Sequence, residues 1–333
     1  HGFDEAYNNS EINDQLPELL KGCDRVFYPV GKNAGLDQNI IEWIKTAKSK
    51  DRHSSAIDIA DATSKVGNQR LIKDAHEIDL MKKACRISAE SHVEAMKFVK
   101  PGMTEQEMEA FYLYEFAKRG GRFSAYTPIV AGGENACVLH YVENSKPLLD
   151  GDLLLVDAGC EYDFYASDIT RTFPVSGKFT DAQLAIYEVV LEAESKAIAA
   201  VSVNNNVMDA QIISEKVVTQ GLIDLGILKG SLDDLHAKGA FKEFYMHKIG
   251  HWLGIDVHDA GDYMEDNQFM QFKPGMVTTI EPGIYIPSSA NVDDKWKGIG
   301  IRIEDDILVT PDGNENLTEF VPSDPKEIEA LMA

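Results

Sequence analysis

Long hydrophobic runs are missing from this sequence. The longest apolar stretches, such as Leu-Leu-Leu-Val at residues 153–156, have the length of a β-strand. A helix that crosses a membrane needs about 20 consecutive apolar residues, so we expect neither a membrane span nor a membrane partner. The first residues, His-Gly-Phe, include no Met and no basic-then-apolar leader, so no signal peptide is visible. Such a start is equally typical of a processed end or of a fragment.

Positive charge is also scarce, with 32 Lys and Arg residues against 55 Asp and Glu residues and a formal net charge of −23. Such a field repels phosphate backbones, which argues against a nucleic-acid partner. There are four cysteines, and none has CxxC spacing: Cys23, Cys85, Cys137 and Cys160. This pattern is typical of reduced thiols and predicts a cytoplasmic protein.

Several catalytic motifs are absent. The sequence has no GxSxG nucleophile elbow, no Walker loop and no GxGxxG after a predicted strand. His247 and His251 are four residues apart, as in a zincin helix, but Lys248 stands where that motif needs Glu. Cys160 has no His near it in sequence, so we predict a small buried hydrophobic residue rather than a nucleophile.

At 333 residues the chain exceeds the usual size of a single core, which predicts a small piece followed by a large domain. The small piece, residues 1–70, is predicted to be α/β, with a strand at 25–30, a helix at 38–47 and a polar linker at 49–69. The large domain is predicted to span residues 71–333.

Helices and strands alternate along the large domain, which predicts an α/β (α+β) fold. A helical pattern begins at His76 and stops at Pro101-Gly102, and Thr104 with Glu107 forms a capping box for the next helix. Further helices are predicted at residues 181–201 and 207–225, and strands at residues 128–131, 152–159, 166–175, 276–286 and 298–310.

A faint repeat suggests that the large domain has two related halves. Residues 99–108 and residues 203–212 each end one predicted helix and open the next. Asp157 and Glu281 each close a predicted strand in an acid-x-Gly sequence. We therefore predict two halves that face these two acids across a pseudo-twofold axis.

Four acids lie in strongly apolar or β-rich settings: Asp157, Asp168, Glu281 and Glu304. Burying an unpaired carboxylate costs on the order of several kcal/mol, so each needs a cation or a proton. Arg171 and Arg302 are near in sequence, but two guanidiniums cannot neutralise four acids. Two divalent metal ions would neutralise all four acids, with a bridging hydroxide as the reactive group. Oxygen-rich ligation favours Mn²⁺, with Co²⁺ or Zn²⁺ as alternatives.

Histidines supply the nitrogen ligands that such a site would use. Three of the nine lie within twelve residues: His247, His251 and His258. Gly250 and Gly254 disfavour a helix here, so we predict irregular backbone that brings the imidazoles to one cavity. His140, in Val-Leu-His-Tyr, is a fourth candidate.

These motifs together resemble a known family. They are LHY at His140, VDAGCEYDFYASDITRTF, MHKIGHWLGIDVHD, TIEPGIYI and GIGIRIEDDILVT. The set is similar to the Xaa-Pro aminopeptidase family, most closely to its bacterial aminopeptidase P members, within the pita-bread metallopeptidases. The likeness runs through residues 70–333. It implies a pita-bread catalytic domain of two pseudo-symmetric halves, preceded by a partial α/β N-terminal domain, and a homo-oligomer (dimer or tetramer).

The resemblance also implies residue roles. Asp157 would bind one metal ion, His251 and Glu281 the other, and Asp168 and Glu304 both. The surrounding residues would be His140, His247, His258, Arg302 and, nearby in the substrate site, Tyr285. Glu281 would move the proton of the attacking water. His247 and His258 would stabilise the oxyanion, and His140 would orient the substrate.

The implied activity is removal of the N-terminal residue from peptides with proline in second position. A prolidase, which cuts only Xaa-Pro dipeptides, would use the same site, and Trp252 inclines us towards the aminopeptidase. A methionine aminopeptidase is disfavoured by the N-terminal piece and by the RIEDD sequence. A non-catalytic pita-bread protein that binds a histone or other partner is disfavoured because all five ligand positions are occupied by suitable residues.

Overall fold

In the computed structural model, residues 2–50 and 57–333 are described. The chain divides into two compact units, His1–Gln69 and Arg70–Ala333. Among the described residues, no helix is both long and apolar enough to cross a membrane.

The first unit is a small α/β arrangement. Its strands β1 (Arg25–Phe27) and β2 (Asp58–Ala60) pair in parallel. The helices of this part are α1 (Ile12–Leu19), α2 (Ala34–Lys50) and α3 (Thr63–Leu71). The predicted strand at 25–30 is confirmed but shorter, and the predicted helix at 38–47 begins earlier, after Asn33, whose side chain accepts a hydrogen bond from the Leu36 N–H.

The predicted linker at residues 49–69 is wrong over its described part. Residues 57–69 contain β2 and most of α3, and residues 51–56 lie outside the described residues. A strand of three residues is too short to show an alternating pattern, and its stability comes from pairing with β1 rather than from its own composition.

Six helices form the α part of the second unit: α4 (Ala75–Phe98), α5 (Glu105–Arg119), α6 (Asp181–Ala200), α7 (Val207–Asp224), α8 (Leu232–Ala237) and α9 (Pro325–Met332). The first four of these each begin with a capping box, at Asp74, Thr104, Thr180 and Asn206. The predicted capping box at Thr104 is confirmed, and the helices predicted from residues 76, 181 and 207 are present with ends one or two residues away.

The strands of the second unit are β3 (Phe123–Ser124), β4 (Ile129–Gly132), β5 (Leu153–Asp157), β6 (Cys160–Tyr162), β7 (Tyr165–Ala166), β8 (Thr170–Pro174), β9 (Met264–Glu265), β10 (Gln268–Phe269), β11 (Val277–Ile280), β12 (Gly283–Ile286), β13 (Ile299–Arg302), β14 (Asp305–Thr310) and β15 (Gly313–Asn316). They form three three-stranded sheets, β4-β5-β8, β11-β14-β15 and β3-β6-β7, and two two-stranded ones, β12-β13 and β9-β10.

The second unit consists of two halves, and each half contains a pair of helices followed by a sheet. The pair α4 and α5 precedes the sheet β4-β5-β8, and the pair α6 and α7 precedes the sheet β11-β14-β15. The sheets meet at Thr170 and Glu304, where the Glu304 N–H donates to the Thr170 carbonyl at 3.0 Å. The centre of the unit is thus a junction between the two halves.

Three predicted strands are interrupted in the structure. Residues 166–175 divide into β7 and β8, residues 276–286 into β11 and β12, and residues 298–310 into β13 and β14. Pro282 lies in one interruption and has no N–H to donate to a sheet. Each interruption contains one of the four acids singled out by the sequence.

Candidate metal centre

The four acids lie where strands stop. Asp157 is the last residue of β5, and Glu281 directly follows β11. Asp168 lies between β7 and β8, and Glu304 lies between β13 and β14. All four side chains line one cavity of about 720 Å³. The sheets therefore provide a rigid frame, and their interruptions provide the carboxylates.

His251 reaches this cavity because of a close backbone approach. A Cβ atom on Gly250 would lie 1.9 Å from the Thr279 carbonyl oxygen, so only glycine fits against β11 there. The adjacent Thr279 N–H then donates to the His251 carbonyl at 2.9 Å. The Nδ1 atom of His251 is 3.0 Å from the Trp252 carbonyl, which leaves Nε2 free to face the acids.

Asp168, His251 and Glu304 form the tightest group of possible ligands. One ligand atom from each lies within 4.8 Å of the others. The His251 Nε2 atom is 3.4 Å from Asp168 Oδ2 and 3.7 Å from Glu281 Oε1. The Thr170 hydroxyl donates to Glu304 Oε2 at 2.6 Å and so orients that carboxylate.

Asp157 is held differently from the other acids. Its Oδ2 atom accepts a hydrogen bond from Arg302 Nη2 at 2.6 Å, and its Oδ1 atom accepts one from the Tyr126 hydroxyl at 2.6 Å. The Tyr126 hydroxyl also lies within hydrogen-bond distance of Asp168 Oδ1. Of the four acids, Asp157 is therefore the one that pairs with a nearby arginine, as the sequence analysis considered for all of them. Arg171 pairs with Asp305 instead.

Burial determines the protonation behaviour of the acids. It raises the pKa of Glu281 to about 7. Burial, and next the facing carboxylates, also raise the pKa of Asp168 and raise that of Glu304 well above its usual range. Burial lowers the pKa of His251, but the hydrogen bond and charge of Asp168, together with the charge of Glu281, raise it to about 9. The group thus holds protons firmly unless a cation takes their place.

The histidines around the acids occupy the positions that the sequence suggested. His140 and His258 are exposed on the cavity wall, and the ring of His258 lies 4.3 Å from that of His251. His247 also lines the cavity, and burial, with a smaller effect of Arg302, lowers its pKa to about 4, so it is neutral. The backbone that carries three of them, residues 245–262, forms neither helix nor strand beyond an isolated bridge at Trp252, which confirms the predicted irregular segment.

Tyr285 stands behind the cavity rather than in it. Its side chain is fully buried, and its hydroxyl lies 2.8 Å from His247 Nε2 and accepts a hydrogen bond from Arg302 Nη1 at 2.9 Å. Tyr285, predicted to lie near the substrate, links His247 to Arg302 and through Arg302 to Asp157.

Tyr126 was missed by the sequence analysis. Its two partners, Asp157 and Asp168, lie 31 and 42 residues further along the chain. It falls between β3 and β4, where no periodic pattern marks it. Only the assembled fold brings the phenol to the carboxylates.

A second set of buried partners, whose contacts the sequence did not show, lies behind Asp168 and Glu304. Arg171 is fully buried and donates to the Glu304 carbonyl at 2.7 Å and to Asp305 Oδ1 at 2.6 Å. Asp306 Oδ2 accepts the Asp168 N–H at 3.0 Å. The Glu-Asp-Asp sequence within RIEDD was a usable signal, since two more acids follow Glu304 in a buried strand.

The residues of this cavity fit a divalent metal ion. Their donors are carboxylate oxygens and one imidazole nitrogen, a set that first-row divalent ions bind well. Arg302 compensates one acid, while burial disfavours charge on Asp168, Glu281 and Glu304. A bound cation would relieve that cost.

Comparisons with known proteins agree with this geometry. The model of metallopeptidase family M24 matches residues 79–311. Xaa-Pro aminopeptidase from Haemophilus influenzae is 46% identical over 98% of this chain and 74% of its own length. Xaa-Pro aminopeptidase from Escherichia coli is 44% identical over 99% of this chain and 75% of its own length. The solved structure of Pseudomonas aeruginosa aminopeptidase PepP matches with a TM-score of 0.95 at 46% identity, over 99% of this chain and 76% of that chain.

Proposed function

The chain belongs to metallopeptidase family M24, and from that premise we propose that it releases the N-terminal residue from peptides with proline in second position. The observation that carries the proposal is the cluster of Asp168, His251 and Glu304, with Asp157 and Glu281 beside it in one cavity. Relatives at 44% to 46% identity over nearly the whole chain are named Xaa-Pro aminopeptidases.

The metal complement is proposed to be two divalent ions, with Mn²⁺ favoured over Co²⁺ and Zn²⁺. Asp157 would hold one ion, His251 and Glu281 the other, and Asp168 and Glu304 would bridge both. The four carboxylates nearly balance two divalent ions together with Arg302, and a hydroxide would supply the remaining negative charge, which supports this number. When bound, the ions would polarise the substrate carbonyl and acidify water.

Glu281 is proposed to move the proton that the reaction requires. Its carboxylate lies in the cavity beside His251, where it can take a proton from water and return it to the leaving nitrogen. Its Oε2 atom is 3.8 Å from His247 Nδ1 and its Oε1 atom faces His251, so the group stands at the centre of the site.

His258 is the better placed of the two proposed oxyanion donors. Both ring nitrogens of His247 have protein partners, the Lys248 carbonyl at 2.8 Å and the Tyr285 hydroxyl at 2.8 Å. His258 is exposed to the cavity, where its ring can turn towards a substrate oxygen. We assign the oxyanion contact to His258 and a supporting position to His247.

Proline is proposed to be recognised by shape. Its nitrogen carries no hydrogen, so a backbone acceptor cannot identify it. Apolar side chains line the cavity beside the acids and supply the surface for a ring: Ile129, Leu139, Val142, Val257 and Phe269.

The assembly and location of the protein belong to the same proposal. The family resemblance supports a homo-oligomer, a dimer or a tetramer, and reduced cysteines support a cytoplasmic location. All four cysteines are free thiols. Light scattering of the purified protein would decide the first point, and cell fractionation would decide the second.

The test of function is an activity assay on apoprotein supplied with Mn²⁺, Co²⁺ or Zn²⁺. An Xaa-Pro-Xaa tripeptide, an Xaa-Pro dipeptide and an Xaa-Ala-Xaa tripeptide are compared. We expect cleavage of the Xaa-Pro-Xaa peptide only with metal present. Cleavage of the dipeptide alone would identify a prolidase, and no cleavage together with no bound metal would indicate a non-catalytic binding protein.

A further inference from the structure

We propose that Glu105 is a positioning residue that holds one wall of the cavity, so that His140 faces the metal centre. This wall segment is defined as residues 133–146, and three of its side chains line the cavity: Leu139, His140 and Val142. The inference rests on the proposed function for its effect on peptide cleavage. The claim that Glu105 fixes the conformation of the wall segment does not depend on that function.

The wall segment has little regular structure of its own. A 3₁₀ helix covers Gly133–Cys137, and residues 138–146 form neither helix nor strand. Such a segment keeps one conformation only if other groups fix it.

Glu105 supplies several of these fixed points, and Asn144 adds others through hydrogen bonds with the Val130 N–H and the Pro128 carbonyl. The Glu105 side chain is fully buried at the start of α5, and its Oε1 atom accepts hydrogen bonds from the Gly132 N–H at 2.9 Å and the Asn135 amide at 2.7 Å. Its Oε2 atom accepts from the Tyr141 hydroxyl at 2.8 Å and the Lys146 N–H at 2.8 Å. One carboxylate thus contacts the start, the middle and the end of the wall segment.

Those four hydrogen bonds use the full capacity of an ionised carboxylate. The helix does not need this side chain for its cap, because Thr104 and Glu107 already form the capping box of α5. The buried carboxylate of Glu105 is therefore committed to the wall segment, and Tyr141, which it binds, is the neighbour of His140.

A glutamine at this position would have the same shape and the wrong hydrogen-bonding pattern. Its amide group would carry two donors where the carboxylate has an acceptor. Whichever way the amide turns, it leaves the Gly132 N–H or the Lys146 N–H without its acceptor. Glu105→Gln therefore loosens the wall segment without creating a cavity.

The experiment compares Glu105→Gln with Glu107→Gln. The control changes the same residue type in the same helical turn, and glutamine still completes a capping box. We measure hydrogen–deuterium exchange over residues 133–146, metal content by elemental analysis, and kcat/KM on an Xaa-Pro-Xaa peptide. Each substitution is also combined with His140→Ala.

For Glu105→Gln we expect exchange in the wall segment to quicken by about tenfold or more, while metal content is unchanged. We expect kcat/KM to fall about tenfold in the wild-type background and less than about threefold with His140→Ala, because the effect passes through that side chain. Glu107→Gln should leave all these quantities near wild type. Tyr141→Phe, which removes one of the four donors, should show a smaller change of the same kind.

Unchanged exchange in both Glu105→Gln and Tyr141→Phe would overturn the proposal. An equal loss of kcat/KM with and without His140 would also overturn it, because Glu105 would then act elsewhere. A wild-type protein that cleaves no Xaa-Pro peptide would refute the proposed function, and the exchange measurements would still decide whether Glu105 holds the wall.

Discussion

Glu281 and His251 must both lose a proton before they can bind a cation. Burial raises the pKa of Glu281 to about 7. Burial lowers the pKa of His251, but Asp168 and Glu281 together raise it to about 9. A metal ion binds the deprotonated forms, so protons compete with it more strongly as the pH falls.

We therefore expect the Mn²⁺ affinity of the apoprotein to decrease as the pH falls from 8 to 6, with protons released on binding. Titration calorimetry in buffers of different ionisation enthalpy measures both quantities. Glu281→Gln removes one of the titrating groups and should flatten the dependence. Equal affinity at the two pH values would contradict this account.

Substitution of His258 should lower the rate of turnover without removing the metal ions. It lies in the cavity beside His251 but is assigned to the substrate oxygen rather than to the metal ions. We expect His258→Ala to retain its metal ions and to lower kcat by about 10²-fold, the usual effect of removing an oxyanion donor. Kinetics equal to wild type on an Xaa-Pro peptide would remove His258 from the reaction.

At the scale of single residues, the sequence was most informative where an acid interrupts an apolar strand. Asp157 and Glu304 stood out because a carboxylate in those settings needs a cation or a proton. The roles of Tyr126 and Arg171 could not be inferred in the same way. The partner of Tyr126 lies more than 30 residues away along the chain, and that of Arg171 more than 100 residues away, so only the fold brings them together.

At the scale of helices and strands, capping residues predicted where helices begin, whereas the ends of strands could not be predicted as well. Thr104 and Glu107 mark a helix start through local hydrogen bonds, which the sequence contains in full. The end of β11 depends on Pro282 and on the neighbouring sheet. An alternating apolar pattern continues across the gap between β13 and β14, so residues 298–310 were predicted as one strand.

Strand β14 should control the position of Asp168 through Asp306. We expect Asp306→Ala to weaken Mn²⁺ binding by about tenfold, because the Asp168 N–H loses a buried acceptor. Asp306→Asn keeps an oxygen in that place and should bind metal nearly as well as wild type. Asp312→Ala, in the exposed turn after β14, is the control. Equal loss in the alanine and asparagine variants would show that the hydrogen bond is not the cause.

At the scale of the whole molecule, the candidate metal centre joins the two halves of the second unit. Asp157 and Asp168 come from the first half, and His251, Glu281 and Glu304 come from the second. Acids from both halves repel one another across the junction, so a bound cation stabilises the folded unit.

We therefore expect chelation to lower the thermal unfolding temperature and added Mn²⁺ to restore it. For each site, metal at about 100 times its Kd should add about 2.7 kcal/mol to the free energy of unfolding. Scanning calorimetry with and without chelator measures the change. Glu304→Ala, which removes a proposed bridging ligand, should bind less metal and respond less. An unfolding temperature that chelation leaves unchanged would contradict a cation at the junction.

The fold of the second unit was largely predictable because its motifs are long and its helices begin with clear caps. The first unit was harder to predict. Its strand β2 has three residues and its helix α3 has a polar sequence, so residues 57–69 resembled a linker. Pairing between β1 and β2 supplies the stability that local sequence does not show.

The pairing of strands on either side of the acids has a consequence for how relatives can diverge. Between Asp157 and Asp168 the chain makes the β6-β7 hairpin, whose tip residue Phe164 is 74% exposed. Such a tip tolerates insertion and deletion. The register in which Asp157 faces Thr170 cannot shift without turning each side chain of the strand to the opposite face. Any change in the length of this connection is therefore expected at the exposed tip, while the pairing of Asp157 with Thr170 fixes how the two acids are presented across the sheet.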